Sequence, residues 1–148
     1  MNAIDSIDRE LIRHLQADGR TSYAQLGKLV GLSDAAARQR VNRLTADGVI
    51  DIVAVTDPVK LGLGTQALLG ITVSTDVHKV AIDINAESDS VYVVMTAGRF
   101  DLIAEVVCRD DDTFIDLTNR IRTLPGVHTV EIMPYLGIVK QVYDWGVG

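Results

Sequence analysis

SYAQLGKLVGLSDAAARQRVNRLTADG, residues 22–48, carries the pattern from which the rest of the chain is read. Ser22 and Gln25 have capping-box spacing, each placed to satisfy the other's orphan amide at a helix start. Leu26, Leu29 and Val30 form the apolar edge of that helix, and Gly31 ends it. Only Leu32 intervenes before Ser33 caps another helix, running from Asp34 to about Asp47, with Ala37, Val41 and Leu44 inward and Gly48 as its stop. Upstream, Asp5 precedes Ile7, Leu11, Ile12 and Leu15 on one helical face. Asp8 and Glu10 suit the positive end of the dipole there, and Gly19 supplies the stop. Three short helices, two joined by a tight glycine turn, predict a helix-turn-helix unit.

Beyond Gly48 the pattern changes. Val49–Thr56 is β-rich and ends at the turn signal Asp57-Pro58, which predicts a wing or linker strand. With Gly62-Leu63-Gly64 as a hinge, the expected division is a winged helix-turn-helix domain with its linker strand over 1–60 and a second domain over 61–148. The second domain reads β-α-β-β-α-β. Thr65–Val73 is a buried strand, and Val77, Val80, Ala81 and Ile84 repeat at helical spacing. Strands Val91–Thr96 and Phe100–Cys108 meet at Ala97-Gly98-Arg99. A helix capped in the run Asp110-Asp111-Asp112 carries Phe114, Leu117, Ile121 and Leu124; Pro125-Gly126 breaks it before strands Val127–Ile132 and Leu136–Val142. The prediction is an α+β sandwich of ferredoxin-like plan, an antiparallel sheet with helices on one face. The other face is apolar enough to need a cover, which predicts a dimer. Tyr143 and Trp145 are expected to pack on a neighbour.

The 148 residues carry 47% apolar and 23% charged side chains, a globular balance. No run approaches the length of a membrane helix, and the N-terminus has no basic, apolar signal segment, so the expected location is cytoplasmic, associated with the nucleoid. The lone Cys108 reads as a small buried hydrophobe. The net charge of −6 is unevenly spread: residues 1–60 hold eight Lys/Arg and eight Asp/Glu, whereas 61–148 hold six and twelve. A neutral first half with Arg38, Arg40 and Arg43 close together can present a local basic face to phosphate without whole-chain basicity.

With Ala37, Val41 and Leu44 inward, the 34–47 helix turns Asp34, Ala35, Arg38, Gln39, Asn42 and Arg43 outward. Arg and Gln match base edges in the major groove, and the small Ala35 permits close approach. Thr21, Ser22 and Ser33, with the nearby helix N-termini, suit phosphates. The expected DNA-binding set is therefore Thr21, Ser22, Ser33, Ala35, Arg38, Gln39, Asn42 and Arg43; the bland alternative is a solvated helical face. Arg40 lies nearer the packed side and is equally readable as a salt-bridge residue. His14, His78 and His128 are dispersed, no metal-ligand spacing or nucleophile motif occurs, and the Asp110-Asp111-Asp112 run reads as a helix cap, so no catalytic or metal site is expected.

Several segments together resemble the Lrp/AsnC (feast/famine) family of regulators: Ile7-Asp8-Arg9-Glu10-Leu11-Ile12, Leu15–Arg20, Gly31-Leu32-Ser33, Arg40-Val41-Asn42-Arg43-Leu44, Asp47-Gly48-Val49-Ile50, Asp57-Pro58, Leu61-Gly62, Gly98-Arg99-Phe100-Asp101-Leu102 and Leu124-Pro125-Gly126-Val127. The resemblance spans the whole chain in register. It implies a winged helix-turn-helix joined to an amino-acid-binding, RAM/ACT-like module that dimerises through its sheet, with dimers assembling up to octamers. Thr45 stands where the family usually has Glu, and Asp34-Ala35-Ala36 lacks a common Pro.

A zwitterionic amino acid needs acceptors for its ammonium and donors for its carboxylate. Asp101 can supply the first, and backbone amides around Gly98, Arg99 and Phe100 the second. The resemblance adds Pro125, Gly126, Val127 and Thr129 near this pocket. The implied partners are double-stranded DNA, a free amino acid or similar effector, and further copies of the chain; no other cofactor is expected. Two rivals remain at this stage: a tetrapyrrole (sirohaem-type) decarboxylase on the same scaffold, and a non-DNA-binding amino-acid-sensing assembly protein.

Overall fold

In the computed structural model the described residues are 3–142 and Gly146; Tyr143 and Trp145, expected to pack on a neighbour, lie outside them. The chain divides into two compact units. One runs up to Val55 and includes the described residues from Lys140 onward; the other is Thr56–Val139. The sequence-based division at residue 60 left the last residues with the second domain, whereas the contacts group them with the first.

The first unit holds helices α1 (Ser6–Ala17), α2 (Tyr23–Val30) and α3 (Asp34–Ala46). Each begins at an oxygen-bearing cap: Asp5 accepts from the Asp8 amide, Ser22 from Gln25 and Ser33 from Ala36. Leu11, Leu26, Ala37 and Val41 are buried together, with Ile7, Leu15, Tyr23, Val30 and Ile50 against them. The turn between α2 and α3 is closed by the Leu32 amide donating to the Gly27 carbonyl at 2.7 Å. Gly31 takes a φ of +73°, open to glycine without strain. Gly27 is fixed for another reason: a Cβ there would sit 2.6 Å from the Leu32 carbonyl oxygen, so the tight turn excludes any side chain.

The strand expected at Val49–Thr56 does not form; those residues are irregular up to Asp57, followed by a single 3-10 turn at Val59–Leu61. β-branched residues set a preference for extended backbone, but a strand needs a ladder partner, and among the described residues no ladder includes this segment. Ile52, Val53 and Val55 are left exposed. The strand expected at Leu136–Val142 is not formed either, and Leu136 and Val139 are fully exposed.

The second unit is the expected β-α-β-β-α-β: β1 (Thr65–Val73), α4 (Val77–Asn85), β2 (Ser90–Met95), β3 (Leu102–Cys108), α5 (Asp111–Thr123) and β4 (Val127–Pro134). The sheet order is β2-β3-β1-β4, with every pair antiparallel. Val80 and Ile84 of α4 and Leu117 and Ile121 of α5 pack with Leu69, Ile71, Ala104 and Val106 on one sheet face. Strict alternation of burial along β3 follows from that one-sided cover. On the other face Leu68, Ile103, Val107 and Met133 are only half-buried. Burial and a hydrogen bond to Glu105 push the Tyr135 phenol up to about 12. Cys108 is buried and free, and burial raises its thiol pKa.

Candidate nucleic-acid interface and effector turn

α3 separates its polar side chains into two groups. Asp34, Ala35, Arg38, Gln39 and Asn42 line one shallow depression of about 490 Å³ on the outer side of the helix. Its four polar members are exposed. The Arg38 guanidinium lies over the Tyr23 ring at 5.2 Å, a cation–π contact between α3 and the start of α2. Tyr23 was not singled out from sequence, where its only visible role was that of a residue after a cap.

Arg40 and Arg43 turn the other way. Arg40 Nη1 bonds Asp5 Oδ2 at 2.7 Å and Asp8 Oδ1 at 2.9 Å, and Arg43 Nη2 bonds Asp8 Oδ2 at 2.5 Å. Asp8 is wholly buried. Its carboxylate and that of Asp5 also exchange backbone bonds as a capping box. The Arg40 hydrogen bond holds the Asp5 carboxyl below its ordinary range. For Arg40 the salt-bridge reading is the one observed. Arg43, expected in the outward row, is drawn back onto Asp8; Arg40 is shared between two carboxylates, and Arg43 supplies the second positive charge that balances them.

The cap hydroxyls differ in what they offer. Ser22 and Ser33 use their oxygens as acceptors for the Gln25 and Ala36 amides. Their O–H protons therefore stay available to a phosphate. Thr21 instead donates its proton to the Asp18 carbonyl at 2.8 Å, which leaves it the wrong polarity for a phosphate in this conformation.

In the second unit, two turns close on the end of β1. In one, Asp101 Oδ2 accepts the Val73 amide at 2.7 Å, and its backbone bonds Ile71 and Thr96. Asp101 is the residue read as an acceptor for an ammonium group; one of its oxygens is committed to the β1 edge. In the other, the Gly126 carbonyl accepts the Ser74 amide, and a Cβ on Gly126 would meet Thr75 Oγ1 at 2.1 Å. Pro125 and Val127 flank this turn, the Val127 amide donating to Leu124. Between the turns, Thr129 and Thr72 share a hydroxyl hydrogen bond at 2.6 Å. Arg99 reaches Glu131 at 2.6 Å and lies over the Phe100 ring. Phe100 fits over Gly70, where a Cβ would lie 2.5 Å from the ring. Among the described residues no hydrogen bond engages the amides of Gly98, Arg99 or Phe100. The expected effector residues thus border one end of the sheet, joined by Thr72, Ser74 and Glu131. Those three carried no sequence signal, since each is an ordinary strand or turn residue until the register places it.

Two family models match the chain. The AsnC-type helix-turn-helix domain covers residues 4–45, and the PF0864 C-terminal dimeric alpha+beta barrel domain covers 65–148. The HTH-type transcriptional regulator FL11 of Pyrococcus horikoshii is 27% identical over 135 residues, 88% of this chain and 89% of that protein. Among solved structures, the leucine response regulatory protein LrpA of Mycobacterium tuberculosis superposes with a TM-score of 0.85 at 28% identity, over 96% of this chain and 97% of that one. A transcriptional regulator of Neisseria meningitidis, solved as a complex with L-Met, superposes with a TM-score of 0.86 at 19% identity, over 98% and 97%. At that identity the likeness is one of fold.

Proposed function

This chain belongs to the AsnC-type helix-turn-helix transcriptional regulators, and from that premise we propose how its residues divide the work. α3 enters the major groove, with Arg38, Gln39 and Asn42 reading base edges and Ala35 allowing close approach. Ser22 and Ser33 donate to flanking phosphates. The observation that carries this reading is the shared depression on α3 formed by Asp34, Ala35, Arg38, Gln39 and Asn42, with Arg38 lying over the Tyr23 ring. The half-buried sheet face stacks on a second copy, giving two α3 helices to successive grooves of a two-fold site.

An amino acid or similar zwitterion binds at the Gly98–Asp101 turn. The free amides there meet its carboxylate, and the acceptors Thr72, Thr129 and the second oxygen of Asp101 meet its ammonium. The L-Met complex of the Neisseria meningitidis regulator supports the ligand class. Occupancy shifts the balance between higher assemblies, up to octamers, and so which sites are engaged together.

The test is a mobility shift on a duplex selected from a random pool by the wild-type protein. Arg38→Ala and Gln39→Ala each weaken binding by about 1–3 kcal/mol and relax the selected sequence; unchanged isotherms refute the docking. Calorimetric titration with the twenty amino acids tests the turn. Asp101→Ala loses the heat of the active ligand while duplex binding persists, and equal heats in both proteins refute the assignment.

A further inference from the structure

We infer that Asp8, seconded by Asp5, is a positioning residue for DNA recognition that also masks charge: it withholds Arg40 and Arg43 from the sugar–phosphate backbone, so that discrimination rests on the Arg38, Gln39 and Asn42 row. The inference rests on α3 being the DNA-docking helix. α3 carries three arginines, and only Arg38 is exposed and unpaired with acid. The other two converge on a carboxylate with no exposed surface, supplied by the first turn of α1. Arg40 has a second acid, Asp5, which is half-exposed and is itself held in place as the α1 cap. Both arginine side chains keep about a third of their surface in water, 28% and 33%. They are tethered rather than entombed. Arg43 lies one turn beyond Gln39, at the border of the outward row. Released, it lies within a side chain's reach of the groove edge.

Each arginine that reaches a phosphate adds affinity for any sequence, with a salt slope steeper by about 0.9 in log K against log salt. Sequence-independent affinity of that kind lowers the ratio between a selected site and bulk DNA. Two acids therefore suppress background binding, and the same bonds fix the helix that reads the bases.

The experiment uses the full chain, a selected duplex and a random 30-base-pair duplex of about that length, each titrated across a salt series. Asp8→Asn steepens the slope on random DNA by about one and raises its low-salt affinity several-fold; Asp5→Asn/Asp8→Asn steepens it by about two. The ratio of selected to random affinity falls in both. Asp8→Glu, which keeps the charge, returns the slope to that of the wild type even if the helix is loosened, an outcome a purely structural role does not produce. Folded Asp8→Asn with an unchanged or shallower slope overturns the inference. If Asp8→Asn does not fold, Arg40→Gln decides: a masked arginine leaves the random-DNA slope as it was, whereas a fall of about one shows Arg40 already on phosphate and overturns it. Failure of the wild-type chain to bind either duplex refutes the docking itself and is distinct from both.

Discussion

Two arginine–carboxylate sites, one in each unit, use the same chemistry to different ends. In the helix-turn-helix unit, Asp8 has no exposed surface and binds two arginines from a helix more than thirty residues away in sequence. In the sheet unit, Arg99 bonds Glu131 with three-quarters of its side chain in water. Burial raises what is lost when one partner goes, because the remaining charge cannot be rehydrated; exposure lets solvent replace the partner at little expense. The first site therefore fixes geometry, and the second is free to exchange its partner for a ligand. Orientation of a reading helix needs the former; an effector turn needs the latter.

The largest test of that contrast is Asp8→Ala. It leaves two partly desolvated guanidiniums facing a void and also removes one half of the α1 capping box. We expect a loss of about 2–3 kcal/mol, below the range for a fully buried pair because the arginine side chains stay partly in water. Urea unfolding followed by helical circular dichroism reads it. A loss under half a unit on that scale would place Asp8 with the surface pairs.

A smaller effect separates charge from capping at the same site. Asn caps a helix as well as Asp does, so Asp5→Asn retains the Asp8 amide bond and loses only the charge facing Arg40. The folded carboxyl of Asp5 lies below its ordinary value of 3.8. Its contribution is therefore complete above that value and is lost as pH falls through the folded pKa. The gap in melting temperature between the wild type and Asp5→Asn should be open at neutral pH and close as the pH falls below 3.8 through the folded pKa. A gap that stays constant would mean that the Asp5 charge does nothing for α1 and α3.

Part of this contrast is legible in the sequence. Helix caps at Asp5, Ser22, Ser33 and Asp110 are local signals, one side chain to an amide two or three residues on, and the structure has all four. The sheet unit was legible because its helical and two-residue periods alternate cleanly. What failed was non-local. Val49–Thr56 and Leu136–Val142 have the composition of strands, but composition alone does not make a ladder. The pull of Asp8 on Arg43 was equally hidden: helical spacing puts Arg43 on the outward border, and nothing in the order of residues says that a buried acid waits behind it. Gly27 carried no signal in the sequence, yet its lack of a side chain is what lets the Leu32 carbonyl approach. Tyr23 and Thr72 became site residues only through the turn and the register that bring them to Arg38 and Thr129.

The smallest effect belongs to the exposed pair, and its smallness is the informative part. Glu131→Gln removes the charge opposite Arg99 but keeps an acceptor of the same shape, so stability should change by no more than about 0.5 kcal/mol. A loss near that of Asp8→Ala would erase the difference between the two sites. The same substitution has a second reading at the effector turn. With Glu131 neutral, Arg99 is no longer held across the sheet, and a ligand carboxylate competes for it against a weaker rival. Affinity for a zwitterion at the Gly98 turn should then rise two- to fivefold, on the order of 0.4–1 kcal/mol by the usual conversion. Calorimetry on the amino acid that binds the wild type gives that ratio directly. Unchanged affinity would detach Arg99 from the ligand and leave the carboxylate to the backbone amides alone.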